Sequence, residues 1–310
     1  MEAAVEPEGL KRRYGSREAL RGISFRVGRG EVFGILGPNG GGKTTLFRIL
    51  STLIPPSEGT ARIRGLDVSR EPDAVRARLG VVFQSPSLDR HLTVEENLLH
   101  QGGLYGLHGA GLRRRADTLL ERFSLADRRR ERAGVLSGGL KRRVEIAKCL
   151  LHAPEVLLLD EPSTGLDPGV RRDLGDLLET LARRDGVTVL LTTHVLEEAD
   201  RCDRLVLVDE GRIVAEGTPE SLRNSVGGEV VSVGARDPES LAELVRERFG
   251  REVSLVDGRL RIETPEGHRI VPPLFEAFPG RIQSVTVGRP TLEDVFVHFT
   301  GRKLGSGEAA

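Results

Sequence analysis

The stretch that most constrains this chain is Gly37-Pro38-Asn39-Gly40-Gly41-Gly42-Lys43-Thr44-Thr45. It follows Glu31-Val32-Phe33-Gly34-Ile35-Leu36, which reads as a buried strand. It precedes Leu46-Phe47-Arg48-Ile49-Leu50, the apolar stripe of a helix. Strand, glycine loop, Lys-Thr and helix together form a phosphate cradle, because glycines let successive backbone N–H groups turn inward. The helix N-terminus adds partial positive charge, Lys43 is placed to reach terminal phosphates, and the Thr44 hydroxyl suits Mg²⁺.

The 310 residues suit one large domain with a smaller one, or two modest domains. Basic and acidic residues balance at 46 each, which excludes a global field for nucleic acid or an anionic membrane. No apolar run approaches the roughly 18–20 residues that span a bilayer. Met1 to Glu6 lacks the basic start and apolar centre of a secretion signal. Cys149 and Cys202 are too few for a disulfide framework, so a reducing cytosol is the expected setting. Lysine is rare beside arginine, and Lys43 is one of only five, consistent with a task that suits a compact ammonium.

Before the loop, Ile23, Phe25 and Val27 alternate with polar residues, as in a half-buried antiparallel strand. Tyr14 stands just ahead of it, placed to stack on a purine or to be an ordinary surface aromatic. After the first helix, Thr60–Gly65 reads as another alternating strand. Val81-Val82-Phe83 is a short strand ending in Gln84, where sites in such sheets cluster. Residues from about 85 to 135 turn helical, with Thr93 and Glu96 forming a capping box. Arg128-Arg129-Arg130-Glu131-Arg132 has no interleaved aromatics and reads as a solvated face rather than a nucleic-acid patch. Ser137-Gly138-Gly139 opens a second helix with free amides, a second potential anion site.

Val156-Leu157-Leu158-Leu159 is continuous enough for a strand buried on both faces, and it ends in Asp160-Glu161. Adjacent acids at such a place mark a site: Asp160 suits indirect Mg²⁺ coordination and Glu161 a base that polarises water. Asp167 lies in the tight loop that follows. Thr188–Thr193 is another buried strand, ending in His194, in line with Gln84 and Asp160-Glu161. Leu205–Val214 reads as a hairpin turning at Glu210-Gly211. Beyond Gly228 the pattern restarts as strand, helix, two strands, a helix expected at about 271–278, strand and helix, a small split α+β unit.

Taken in order, these motifs resemble the nucleotide-binding subunit of ATP-binding-cassette (ABC) transporters. Gly37–Thr45 takes the place of the phosphate loop and Gln84 that of the glutamine loop. Leu136-Ser137-Gly138-Gly139 matches the family signature, Leu157–Glu161 the second nucleotide motif, Asp167 the aspartate loop and His194 the switch histidine. Tyr14 falls at the adenine-stacking position. Pro290–Phe296 with Thr300-Gly301-Arg302 looks like the tail of the daunorubicin-resistance type, whose partners are membrane permeases of the ABC-2 class. Two departures stand out: Leu140 replaces the usual glutamine after the signature glycines, and Gly41 replaces the commoner alanine or serine.

The resemblance implies an α/β P-loop NTPase domain over residues 1–218, with an antiparallel β subdomain and a helical subdomain near 85–135. A linker over 219–228 and a C-terminal α+β domain over 229–310 would complete it. It implies ATP and Mg²⁺ as ligands, the metal held by Thr44, Gln84 and Asp160. Catalysis would fall to Glu161, His194, Lys43 and Gln84. Nucleotide contacts would come from Tyr14, Gly37, Pro38, Asn39, Gly40, Gly41, Gly42, Lys43, Thr44, Thr45 and Asp167, with Ser137, Gly138 and Gly139 supplied by the other subunit of a head-to-tail dimer, expected to be of identical chains. The implied work is ATP-driven export of a drug, lipid or polysaccharide through a separate permease, from the cytoplasmic face of the cell membrane. A soluble cassette ATPase acting on ribosomes or DNA is the alternative, disfavoured by the single cassette and the absence of a heptad run. Intact Glu161 and His194 argue against a degenerate subunit.

Overall fold

A computed structural model describes residues 3–305. Met1, Glu2 and the last five residues of the expected 229–310 unit therefore lie outside the described residues. The chain opens with an antiparallel sheet: β1 (Ala3–Tyr14), β2 (Arg17–Ile23) and β3 (Val27–Gly28). β4 (Val32–Leu36) then starts a second sheet, and after the glycine loop comes α1 (Lys43–Leu50). β5 (Glu58–Ile63) and β6 (Leu66–Asp67) return to the first sheet, in the order β2-β1-β5-β6 with β3 on β1. α2 (Pro72–Arg76) leads to β7 (Leu79–Val82).

The helical stretch comprises α3 (Val94–Leu104) and α4 (Gly109–Arg122), followed by α5 (Gly138–Cys149). The Thr93 capping box forms as expected: Glu96 N–H donates to Thr93 Oγ1 at 3.2 Å, and Thr93 N–H donates back to Glu96 Oε2 at 2.8 Å. Next come β8 (Val156–Asp160), α6 (Pro168–Asp185), β9 (Thr188–Thr193), α7 (Leu196–Ala199), β10 (Arg204–Asp209) and β11 (Arg212–Gly217). The central sheet runs β11-β10-β4-β9-β8-β7, parallel throughout except for the β10–β11 hairpin. The α/β expectation holds.

The apolar runs have a packing reason. Every residue of β4, β8 and β9 is buried. Along β8, Val156 and Leu158 face a core shared with α1 and the antiparallel sheet, whereas Leu157 and Leu159 face a core shared with α3 to α6. Each fully buried Leu, Val or Phe contributes about 1.5–3 kcal/mol of transfer free energy, so a strand used on both faces cannot alternate with polar residues.

Residues 219–228, expected as a connection, hold α8 (Pro219–Ser225), started by Thr218 accepting from Ser221 N–H. Leu222 and Val226 enter an apolar cluster with Leu36, Leu205 and Phe296, so this connection is packed. The C-terminal unit contains β12 (Glu229–Ala235), α9 (Pro238–Phe249), β13 (Val253–Val256), β14 (Arg259–Thr264), α10 (Gly267–Ala277), β15 (Ile282–Gly288) and α11 (Leu292–Thr300). Its antiparallel sheet runs β13-β14-β12-β15, with α9 and α10 against one face. α10 begins at Gly267, earlier than the expected 271, and so carries Pro272 and Pro273 inside it. Both prolines are exposed, as are His268 and Arg269 one turn earlier, so the carbonyls that lose their partners face water.

Candidate functional site

β4 delivers the glycine loop to the C-terminal edge of the parallel sheet, and α1 begins at its end. Gly42 is the N-cap of α1, at φ +108°, and a Cβ there would stand 2.8 Å from the Ala19 carbonyl oxygen. Gly37 is tighter still: a Cβ would lie 2.2 Å from the Val208 carbonyl oxygen. Glycine is therefore demanded by backbone conformation at Gly42 and by contact at Gly37.

Lys43 is buried, and its Nζ donates to the carbonyls of Gly37 at 2.8 Å and Pro38 at 3.0 Å. It also pairs with Glu161 Oε1 at 3.3 Å. Burial pulls the Lys43 ammonium below its ordinary pKa, while Glu161 and, less strongly, Asp160 oppose that shift. Glu161 follows β8 in left-handed backbone, φ +46°, a costly place for any residue with a Cβ and a common one at functional sites. Its Oε2 accepts from Gln84 Nε2 at 3.2 Å and from Thr164 Oγ1 at 3.3 Å. His194 Nδ1 stands 3.2 Å from the same oxygen, off the line of a hydrogen bond. Four groups from four separate segments thus converge on one carboxylate. Asp160, just beneath, is buried, and desolvation raises its carboxyl above the ordinary range; Thr192 Oγ1, donating to Oδ1 at 2.6 Å, works the other way.

A cleft of about 620 Å³ opens over this cluster. Of the expected residues, Tyr14, Asn39, Gly40, Gly42, Lys43, Thr44, Thr45, Gln84, Glu161 and His194 line it. Gly37, Pro38 and Gly41 form the back of the loop, and Asp160 lies below the floor. Tyr14 is 42% exposed, with the Arg12 guanidinium 4.9 Å above its ring. Ser137, Gly138, Gly139 and Asp167 do not line the cleft. Ser137 is exposed and caps α5, its Oγ accepting from Leu140 N–H at 3.4 Å; Asp167 is exposed at the start of α6.

Sequence reasoning missed three contributors. Thr192 faces Asp160 only because β8 and β9 pair in that register. Arg17 lines the cleft from β2. Arg142, buried on α5, donates from Nη1 to the Phe83 carbonyl at 2.8 Å and from Nη2 to the Gln84 carbonyl at 3.2 Å. Beside it, Glu145 Oε1 accepts from Ser87 N–H at 2.6 Å. The helix that Ser137 caps thus grips the segment carrying Gln84. Charged residues at apolar positions of α5 were the available signal.

Residues 20–164 match the ABC transporter family, and residues 217–300 match the C-terminal domain of DrrA1-3-like ATP-binding proteins. The chain is 42% identical to the daunorubicin resistance ATP-binding protein DrrA3 of Streptomyces coeruleorubidus, over 100% of this chain and 99% of that protein. It is 40% identical to the Nod factor export ATP-binding protein I of Paraburkholderia xenovorans, over 98% and 99%. Among solved structures it resembles cbiO1 of Clostridium perfringens, part of the transporter complex cbiONQ, with TM-score 0.68 and 29% identity, covering 81% of this chain and 97% of that one. It also resembles an ATP-binding cassette solved as a dimer after hydrolysis with ADP and Pi, with TM-score 0.63 and 28% identity, covering 69% and 98%.

Proposed function

This chain belongs to the ABC transporter family of ATP-binding proteins, and we propose that two copies of it, arranged head to tail, form its working ATPase. It is the ATP-hydrolysing subunit of an exporter. The observation that carries the two-copy reading is the split of the site. Lys43, Thr44, Gln84, Glu161 and His194 gather at one cleft, while the exposed Ser137 and Gly138 and the buried Gly139 stand away from it at a helix N-terminus. A helix start is a ready anion site, and the nearest use for this one is the terminal phosphate held by a second copy.

In this reading the loop amides and Lys43 hold the phosphates, and Tyr14 stacks on the base. Glu161 orients the attacking water and takes its proton, while His194, beside it, contacts the terminal phosphate. Lys43 exchanges its present partner, Glu161, for phosphate oxygens, which leaves that carboxylate available as a base. Thr44, Gln84 and Asp160 offer the hard oxygen donors that suit Mg²⁺, which when bound neutralises charge on the phosphates. Among the described residues no helix is long and apolar enough to cross a membrane. The transport path therefore belongs to a partner, which we assign to a permease of the ABC-2 class docked at the inner membrane face. The exported molecule falls within the drug, lipid or polysaccharide classes.

The test is complementation. Ser137→Ala and Lys43→Ala chains should each hydrolyse ATP poorly. Mixed, they form pairs in which one composite site has both an intact loop and an intact signature, and part of the activity returns. Absence of any recovery in a mixture shown to contain heterodimers would overturn the two-copy site.

A further inference from the structure

The C-terminal tail closes on the back of the phosphate loop. α11 ends at Gly301, in left-handed backbone at φ +73°, and the turn sends Arg302 across the β10–β11 hairpin. Thr300 Oγ1 fixes that turn by accepting from Arg302 N–H at 3.4 Å. The Arg302 guanidinium then donates to Asp209 Oδ1 at 2.7 Å and reaches Glu210 Oε1 at 3.5 Å. Glu210 sits at φ +45°, a conformation that a neighbouring charge helps to hold.

The next residue touches the nucleotide loop directly. Gly211 N–H donates to the Gly41 carbonyl at 2.9 Å, and its own carbonyl accepts from Arg21 N–H at 2.8 Å. The same hairpin carries the Val208 carbonyl against which Gly37 is packed. Leu304, 7% exposed, completes the seal by entering the apolar cluster that holds Leu36, at the end of β4, and Leu196, just after His194. Glu293 and Leu304 share a cleft of about 350 Å³ with Pro38, Asn39 and His194.

We propose that Arg302 is a positioning residue for ATP binding. Its Nη2 bridges Asp209 and Glu210, the pinned turn presents the Gly211 N–H to the Gly41 carbonyl, and the glycine loop is thereby held with its amides toward the phosphates. An arginine suits this task because its guanidinium is always charged, more weakly hydrated than an ammonium and holds its donors in a fixed plane. The consequence is that the accessory unit, 93 residues downstream of the turn it pins, sets the affinity of the cassette for nucleotide. The inference rests on the reading of Gly37–Thr45 as the ATP site.

The experiment uses the full chain and a fluorescent ATP analogue for Kd, with steady-state hydrolysis and thermal midpoint alongside. Arg302→Ala should raise the Kd and KM for nucleotide about three- to tenfold, in the range of one charge-assisted pair, with kcat and midpoint nearly unchanged. Arg302→Lys should fall between parent and alanine variant. Asp209→Asn should reproduce the loss, and Arg302→Ala with Asp209→Asn together should add little to either alone. A lowered midpoint or kcat with unaltered Kd would mark a merely structural role and overturn the proposal, as would fully additive losses. Should Arg302→Ala not fold, Asp209→Asn and Arg302→Lys decide the question by the same readouts. Lys43→Ala serves as the separate control: undiminished binding there sinks the ATP-site reading, while lost binding there with unaffected Arg302 and Asp209 variants sinks this inference alone.

Discussion

Replacing Glu161 by glutamine separates the two roles proposed for that carboxylate, base in hydrolysis and ion-pair partner of Lys43. The side chain keeps its volume and an acceptor oxygen, and loses its charge and its ability to take a proton. Loss of a positioned base costs about 10²–10⁴ in rate, so ATP turnover should fall by at least a hundredfold. The nucleotide-free protein should also be destabilised, because Lys43 is 3% exposed and Glu161 is the carboxylate beside it at 3.3 Å. The gross attraction at that separation is about 5 kcal/mol with an effective dielectric near 20. Breaking one side of a buried pair typically costs about 3–5 kcal/mol, and the low end applies because the amide oxygen still accepts from Lys43 and Asp160 remains nearby. At roughly 2–4 °C per kcal/mol, a loss of about 3 kcal/mol should drop the midpoint by about 6–12 °C. ATP supplies the missing anion, so its binding should recover most of that loss and produce a larger thermal shift than in the parent. Phosphate release and thermal unfolding with and without ATP are the assays. Turnover near the parent's rate would refute the role as base, and an unchanged nucleotide-free midpoint would refute the pairing argument.

Gly37→Ala should disable nucleotide binding and destabilise the fold by about 1–3 kcal/mol, because its Cβ meets a backbone carbonyl at 2.2 Å and neither can move freely; retained affinity by titration would show the loop to be pliable. Asp160→Asn should stabilise the nucleotide-free chain at neutral pH while impairing hydrolysis. Since burial raises the Asp160 carboxyl above 3.8, its contribution is fully present below that value and is lost as pH rises through the raised one. The variant should therefore match the parent in acid and exceed it above that window, and a gap that instead narrows with rising pH would reverse the assignment. Cys149 is buried with its thiol pushed up to about 11, and burial also raises Cys202, so a thiol reagent at pH 8 should label neither until the protein is denatured. Rapid labelling of the native chain would contradict that burial.

Much of the site was legible in the residues because its parts are local. A glycine loop needs its own φ angles, a strand buried on both faces needs an unbroken apolar run, and the acids or histidine at its end follow by position. The sequence alone therefore determined the cradle at Gly37–Thr45, the strand ends at Gln84, Asp160-Glu161 and His194, and the signature helix start at Ser137. Only the tertiary structure decided what those groups meet. Thr192 bonds Asp160 because two parallel strands chose one register, and Arg142 holds the Gln84 carbonyl across 58 residues. The α8 connection is packed rather than loose because Leu222 and Val226 found an apolar seat beside Phe296. Arg302 reaches Asp209 through a chain reversal that no local pattern encodes. The physical reason is common to all four: periodicity and backbone preference act over a few residues, whereas a pairing between distant side chains exists only after register and topology have brought their backbones together.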